Sequence, residues 1–503
     1  MSPTLTNIQQ RLRSMPMLTV VVLVAVGIIV ADGLQMGVWT AAAMFIVATA
    51  AAVVRREAVA IMVIMAGALT ISLRREAEQP IAESQLLKVE LLTLAHDLPS
   101  RVDFNAKITA SFGEKGWQRR AAEVRVSAHP ALGLQVGERI VTRARVRPYD
   151  EETGYGGYML RVGRVGTIWL DATKILRRER CAPSFGERLR AKAMQRIEAL
   201  RLSPETRPVV AAISIGERST LKSDLRQTYV RAGGAHLLAV SGLHVGFLFV
   251  VVNLLLLPLI ALRHGQIMRS AAAIVTIWLY VAMAGASPSV VRAAIMFTLT
   301  QLMLTVASRN KSLNTLCLAA TLMLVWDGRM IYDAGFLMSV LSVAAIIAWG
   351  VPLSRALRLS RLLRWDDKQN YSRWRKWVER MWNGTAATIV VSFVASAVTI
   401  PLAAHLFGEV SLWGVVVGGV MVALCAVAMC VTMLWILLPI TPLAGVVSWV
   451  VEHSTSAMNA IAEWCAHSSV MSYQISISLA SCLMIYLAYA LLTLALWSYS
   501  KEG

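Results

Sequence analysis

The residues best suited to chemistry lie in one stretch, Ile215 to Gly246. It reads Ile-Gly-Glu-Arg-Ser-Thr-Leu and then, from Tyr229, Tyr-Val-Arg-Ala-Gly-Gly-Ala-His-Leu-Leu-Ala-Val-Ser-Gly-Leu-His-Val-Gly. His236, Ser241, Gly242 and His244 thus stand at the mouth of an apolar run. Polar and ionisable side chains inside a membrane are costly and ordinarily face a cavity or a partner. Ser241-Gly242 suits a helix break, whose freed backbone groups are tolerable only around water or protein. Two readings stay open: the histidines shape a polar passage, or they cap and bridge helices. Near pH 7 a neutral imidazole is expected, and partial protonation would add attraction for phosphate. Ser241 and His244 also sit at i and i+3, within reach on a helix. A serine nucleophile needs further support, and neither a Gly-x-Ser-x-Gly elbow nor an orienting carboxylate accompanies the pair, so hydrolysis is the weaker reading.

A second constellation is basic and aromatic. From about Glu76 to Arg180 the apolar runs stop and the period changes. Val102–Ala110, Glu123–Ala128, Arg139–Arg147, Tyr158–Gly163 and Gly166–Ile175 read as short strands between Gly, Pro and Asp turns. Five such strands suit a small barrel of the OB type. In Arg139–Arg147, Ile140, Thr142, Ala144 and Val146 alternate with Arg143, Arg145 and Arg147. Those arginines form either a solvated strand face or, with Phe104, Phe112, Trp117, Tyr149, Tyr155 and Tyr158, a strip that binds single-stranded nucleic acid. Gly216-Glu-Arg-Ser-Thr-Leu-Lys-Ser223 comes nearest to a phosphate loop, but Leu221 replaces its second Gly. The six Cys show no CxxC or Cys/His metal spacing, so neither a disulfide framework nor structural zinc is expected.

These groups must be held by membrane helices. The chain has 503 residues, of which 56% are hydrophobic and 16% charged, and its mean hydropathy is +0.59. A soluble domain cannot hide that much apolar surface. Apolar runs occupy Met17–Val30, Met36–Val54, Ala58–Leu73, Leu237–Leu262, Ala271–Ala284, Val290–Ala307, Leu313–Trp326 and Ala334–Trp349. Further runs are Ala387–Leu406, Leu412–Leu438 and Ile477–Trp497, while Glu452 and His453 make Leu443–Trp464 ambiguous. We expect a polytopic α-helical protein of roughly 11 spans. The expected domains are 1–75 (N-terminal helices), 76–180 (the inserted β-barrel) and 181–503 (a channel domain). Met17–Val30 lacks a convincing cleavage site and is read as a retained span. The 49 Lys+Arg against 30 Asp+Glu give a net charge of +19. With the N-terminus in the cytoplasm, Arg11, Arg13, Arg55–Arg56, Arg263 to Arg269, Arg309–Lys311 and Arg355–Arg380 all fall inside; Arg329 is the exception. The insert then lies outside the cytoplasmic membrane. Trp374, Trp377, Met381 and Trp382, interleaved with Arg373, Arg375, Lys376 and Arg380, describe an amphipathic helix on an anionic membrane surface. Contact with an emerging strand or a helicase is the sharper alternative.

The His236–His244 segment closely resembles the HLLA(I/V)SGLH signature of the ComEC family, inner-membrane proteins of bacterial natural transformation. Ser287-Pro-Ser-Val-Val-Arg-Ala-Ala-Ile-Met296 is similar to that family's S-x-x-R-A-x-x-M block. Asp333-Ala-Gly-Phe-Leu-Met-Ser339 resembles its D-x-G-F-x-L-S block, with Met338 in place of Leu. Thr399-Ile-Pro-Leu402 with Phe407-Gly408 resembles a third, and Tyr155-Gly-Gly-Tyr158 before Gly163 the turn ending its OB-like domain. After Gly408, relatives tend to show Asn and later Pro; Val415-Val-Val-Gly-Gly-Val420 has neither, so either Gly418-Gly419 supplies the break or the local geometry differs.

The resemblance implies a channel in the bacterial inner membrane that conducts single-stranded DNA into the cytoplasm. Transport of another polyanion or envelope substrate is the alternative. It implies as pore residues His236, Ser241, Gly242, His244, Arg292 and Asp333, and as partners the lipid bilayer, a periplasmic DNA receptor, a separate nuclease and a cytoplasmic helicase or ATPase. Arg292 would pair with phosphate, snorkel to headgroups or bridge to Asp333. Many relatives add a metallo-β-lactamase-like domain. None of the eight His forms an H-x-H-x-D-H set, so no dinuclear metal site, no cofactor and no nuclease activity are expected.

Overall fold

A computed structural model describes residues 15–55, 58–77, 85–98, 100–113, 116–135, 137–150, 154–179, 184–218, 220–238, 240–306, 312–359, 373–411, 413, 417–438, 441–467 and 472–499. Arg11, Arg13, Arg56, Cys181, the Arg309–Lys311 turn and residues 360–372 of the basic segment lie outside the described residues. The chain forms two compact units, one of Thr19–Arg188 with Cys317–Asp333 and one of the remainder.

The first unit begins with three apolar helices, α1 (Pro16–Gly33), α2 (Val38–Val54) and α3 (Ala58–Ala77). Gly27 and Gly67 set the approach of α1 to α3: a Cβ on either would collide with the backbone of Ile64 or Val24. Small residues bring membrane helices together in this way, through van der Waals contact where hydrophobic exclusion offers little. Tyr332 ties the far end of the unit to α1 by donating its hydroxyl to Asp32 at 2.8 Å.

The insert is a mixed sheet of β1 (Gln85–Leu98), β2 (Arg101–Gly113), β3 (Gly116–Ala128), β4 (Arg139–Ala144), β5 (Arg147–Pro148), β6 (Arg164–Leu170) and β7 (Ile175–Glu179). Its order is β5-β6-β3-β2-β1-β4-β7, so it is open, ending in β5 and β7, and not a closed barrel. Only β3–β6 is parallel. Leu87, Val89 and Leu91 alternate into its core with Phe104, Ala106, Ile108, Val124, Val126, Ile140 and Ile168. Three expected strands fail here, the first being Gly166–Ile175, in which β6 ends at Leu170 and a 3₁₀ turn over Ala172–Lys174 separates it from β7. Tyr158–Gly163 is not a strand: α4 (Gly154–Arg161) takes Tyr158–Arg161, burying Gly156 and Met159 at i and i+3, and a turn through Gly163 (φ 89°) follows. The stretch Arg139–Arg147 is not one strand either, since β4 stops at Ala144 and Arg147 pairs with β6 at the other end of the ladder.

The second unit carries α5 (Phe185–Glu198), α6 (Thr206–Ile215), α7 (Ser223–Arg231), α8 (Ala235–Leu238), α9 (Gly242–Leu255), α10 (Gly265–Met283) and α11 (Pro288–Val306). After α12 (Ser312–Trp326), most of which belongs to the first unit, come α13 (Ala334–Ala345), a π-turn over Ile346–Gly350, and α14 (Val351–Ala356). The chain closes with α15 (Arg373–Phe407), β8 (Glu409–Ser411), α16 (Gly418–Leu437), α17 (Ala444–His467), β9 (Ser472–Gln474) and α18 (Leu479–Tyr499). Each apolar run of the sequence carries a helix. Among the described residues five helices are long and apolar enough to cross a bilayer alone: Pro16–Gly33, Gly265–Met283, Ala334–Ala356, Arg373–Leu406 and Gly418–Leu437.

Two irregularities in this unit have local explanations. Pro401 lies inside α15 and has no N–H to give the carbonyl four residues back, that of Ala397. Tyr489 of α18 donates to Ala397 O at 3.3 Å, and Tyr486 to Val398 O at 2.8 Å, so the neighbouring helix satisfies the break. Glu452, the acid that made Leu443–Trp464 ambiguous, lies mid-way along α17, a single 24-residue helix. Its carboxylate accepts from Thr206 Oγ1 at 2.6 Å and Ser203 N at 3.1 Å, and so serves the donors that open α6.

Candidate functional site

The signature stretch folds as three short helical pieces joined by tight turns. Gly216 ends α6 with φ of 75°, its N–H turned back to Ala211 O and Ala212 O. A Cβ there would stand 3.1 Å from Ala284 O and 3.2 Å from Val240 Cγ2. Left-handed backbone and crowding both demand Gly, so Gly216→Ala is expected to lose about 1–3 kcal/mol. Thermal unfolding of the detergent-solubilised protein tests this, and an unchanged midpoint would contradict it. Tyr229, fully buried, donates to Asn459 Oδ1 of α17 at 2.7 Å. Leu237 and Leu238 then enter a core with Met421, Cys425 and Met458. Val240 and Val245 enter another with Tyr280, Val290 and Ala294. The segment therefore joins two packed clusters.

Between them lies the break, Val240-Ser241-Gly242. Ser241 is the N-cap of α9, and His244, at the third helical position, reaches back over it. Ser241 N donates to His244 Nδ1 at 3.1 Å, and Ser241 Oγ lies 2.9 Å from the same nitrogen. Glu or Gln ordinarily plays this part in a capping box. Because Nδ1 accepts a backbone N–H, the proton of a neutral ring sits on Nε2, which faces Cys425 Sγ of α16 at 3.9 Å. His244 has no accessible surface. The other orphan at the break, Val240 O, accepts from Ser289 Oγ at 2.9 Å, from the first turn of α11. Protein groups thus satisfy these two backbone atoms of the break. Gly242 and Gly246 face α11, where an added Cβ would make ordinary contact with Ala293 Cβ and Phe297 Cζ, each at 3.4 Å.

The expected pore residues separate accordingly. Ser241, Gly242 and His244 come together, with His244 wholly interior and His236 exposed on α8. Arg292 is 4% exposed, next to the Ala293 that packs on Gly242. Such burial places its guanidinium among protein groups and not on a lipid-facing surface. Asp333 belongs to the other unit, where it follows the 3₁₀ turn Gly328–Tyr332 and immediately precedes α13. The break expected near Val415–Val420 falls at Val417/Gly418: α16 starts there, with Gly419 close enough to α15 that a Cβ would lie 3.2 Å from Ile389 Cα. Five cysteines are free, and among the described residues no three His, Cys, Asp or Glu side chains gather as a metal site. Cys425 and Asn459 were not singled out from the sequence, and Ser289 entered only as the first residue of the S-x-x-R-A-x-x-M block. An isolated polar atom in an apolar run gives no signal until its partner helix is placed.

On the insert, the register makes its own constellation. Arg143 pairs with Leu86, Leu86 with Phe112, and Phe112 with Trp117, one row across β4, β1, β2 and β3. Directly opposed residues share a face. Phe112 and Trp117 are 44% and 42% exposed, with ring centroids 5.5 Å apart, edge to face. Lys88 Nζ lies 4.4 Å over the Trp117 ring, and Arg119 is exposed nearby. Arg147 on β5 and Tyr158 on α4 are not in this row; Arg145, just past β4, is exposed. The side chain of Tyr155 lies outside the described residues. Of the aromatics expected beside the strip, Phe112 joins this row while Phe104 is buried in the core of the sheet; Lys88 is the part of this face that the sequence did not reveal.

A family model described as Competence protein matches residues 213–501, more than half of the chain. The chain belongs to the ComEC family of competence proteins. ComE operon protein 3 of Bacillus subtilis (strain 168) is 33% identical over 140 residues. That stretch covers 27% of this chain but only 17% of the relative, far less than two thirds of its length. No solved structure matches. ComEC-family membership and the five long apolar helices make this a multi-pass inner-membrane protein.

Proposed function

We propose that this ComEC-family protein is the inner-membrane conduit by which one strand of incoming DNA reaches the cytoplasm. The family match over residues 213–501 carries the reading. Each nucleotide bears a charge that hydrocarbon excludes, so the path must be wet and lined by protein polar groups. In this reading roughly 11 crossings, several of them by helices shorter than a full span, frame the path. The N-terminus is cytoplasmic by the positive-inside rule, and the insert lies outside as an OB-like module in open form. A DNA receptor would deliver the substrate, a separate nuclease would degrade the other strand, and an ATPase or the proton gradient would drive import. The chain itself acts as a transporter and not an enzyme. The 2.9 Å Ser241–His244 contact is the one observation favouring hydrolysis. However, Nδ1 already accepts Ser241's own N–H, which weakens it as a base.

The row from Arg143 to Trp117 is where the strand would first be held. Exposed aromatic faces stack bases without sequence preference, and flanking cations neutralise phosphates. Trp117→Ala in the full-length purified protein is expected to weaken oligo-dT binding by about 1–3 kcal/mol, about 5- to 150-fold. Arg143→Ala should lower the log–log salt slope by about 0.7. Unchanged affinity in both variants, or equal binding of an anionic polysaccharide, would direct the insert to another polyanion.

A further inference from the structure

We propose that the N-terminal part of α15, from Arg373 to Trp382, is a second binding site for single-stranded nucleic acid, with Trp374 and Trp377 as its stacking surface. It rests on the conduit reading above for the source of the strand. Trp374 and Trp377 are stacked on each other, centroids 5.0 Å apart and planes 22° from parallel. They are nevertheless 68% and 51% exposed. Exposed aromatic surface of this kind marks an interaction site.

Helix geometry decides what can cover it. α15 is one helix of 35 residues whose only Pro, Pro401, lies far from Trp382; it is about 52 Å long, against a hydrocarbon core of about 30 Å. Its apolar span begins at Ala387. Trp382 and Met381 lie about 8 and 9 Å from that point, at the outer edge of the headgroup layer, where Trp is at home. Trp377 and Trp374 lie about 15 and 20 Å out, beyond a headgroup layer of roughly 5–7 Å. A continuous helix does not lie flat at one end while spanning at the other. The surface-lying amphipathic helix expected from the sequence is therefore replaced by a stalk, with the tryptophan pair standing off the membrane.

The surrounding charge selects the occupant. Arg373, Lys376 and Arg380 are exposed on the stalk, and Glu379 is the one acid between Arg373 and Trp382. Trp382 Nε1 donates to Leu357 O at 3.1 Å and Leu359 N to Asn383 Oδ1 at 2.9 Å, tying the preceding segment to the base of the stalk. That segment carries exposed Arg355 and Arg358. Stacked aromatic rings among cations fit a polyanion with planar rings, which is a single nucleic-acid strand.

The test uses the full chain in nanodiscs of zwitterionic lipid, photocrosslinked to an oligonucleotide containing 5-iododeoxyuridine, with peptide mapping. A crosslink within Trp374–Arg380 is expected. Trp374→Ala/Trp377→Ala should abolish it, and Trp374→Phe/Trp377→Phe, which keeps two stacking faces, should retain it. Crosslinks confined to the Gln85–Glu179 sheet would overturn this site and leave the conduit reading intact. Absence of any crosslink would overturn both. Quenching of Trp374 and Trp377 by brominated acyl chains, with no crosslink there, would identify the bilayer as the occupant and overturn the proposal.

Discussion

His244→Gln is expected to leave import and protein abundance close to wild type, whereas His244→Leu should lose both. Glutamine can accept from Ser241 N through its carbonyl and point its amide N–H toward Cys425, reproducing both contacts of the ring. It is also a natural residue at this position of a capping box. Leucine does neither. It buries Ser241 N without a partner, at about 1–3 kcal/mol, and removes a cap worth about 1 kcal/mol more. The disruption falls where α9 meets α11 and α16. Transformation frequency and immunoblotted abundance check this together. If His244→Gln were as defective as His244→Leu at normal abundance, the imidazole itself would have a chemical role, and the sealed-break account of the signature would fail.

Arg178→Met should destabilise the insert more than any exposed substitution in it. Arg178 holds Glu138 through two contacts of 2.8 Å, from Nε to Oε2 and from Nη2 to Oε1. It also donates to Leu132 O at 2.9 Å and Gly133 O at 2.7 Å. Glu138's side chain is only 3% exposed. Removing one partner of a buried pair costs about 3–5 kcal/mol, because the other charge stays buried and unpaired. The double variant Arg178→Met/Glu138→Met removes both charges and should recover part of that loss. Limited proteolysis of the insert would rank the three proteins. Equal digestion rates for single and double variants would show that the pair contributes little.

The helices were legible because a bilayer forces long apolar runs, and Met17–Val30 or Ala387–Leu406 admits no other solvent. The insert was less so. Gln85–Leu98 was missed as a strand because its register shifts between Lys88/Val89, Leu91/Thr93 and Leu94/His96. Those shifts break the two-residue period and leave adjacent leucines at 86–87 and 91–92. Alternation in Arg139–Ala144 was read correctly, with Arg143 out and Ile140 and Thr142 in. What alternation could not supply was the row, because the pairing of Arg143 with Leu86, Phe112 and Trp117 is a property of three ladders. The signature was located from sequence, yet its meaning was divided between passage and cap. Only distances to Ser289 and Cys425 decided that His244 and the freed carbonyl of Val240 are interior. Glu452 looked like a misplaced charge until Ser203 and Thr206 were found beside it.

The conduit reading is tested most directly by following labelled duplex DNA in cells lacking this protein, with label outside and inside the cytoplasmic membrane scored separately. The expected result is label accumulating outside that membrane and none reaching the cytoplasm, with import restored by the wild-type chain. Undiminished cytoplasmic label in the deletion strain would contradict it.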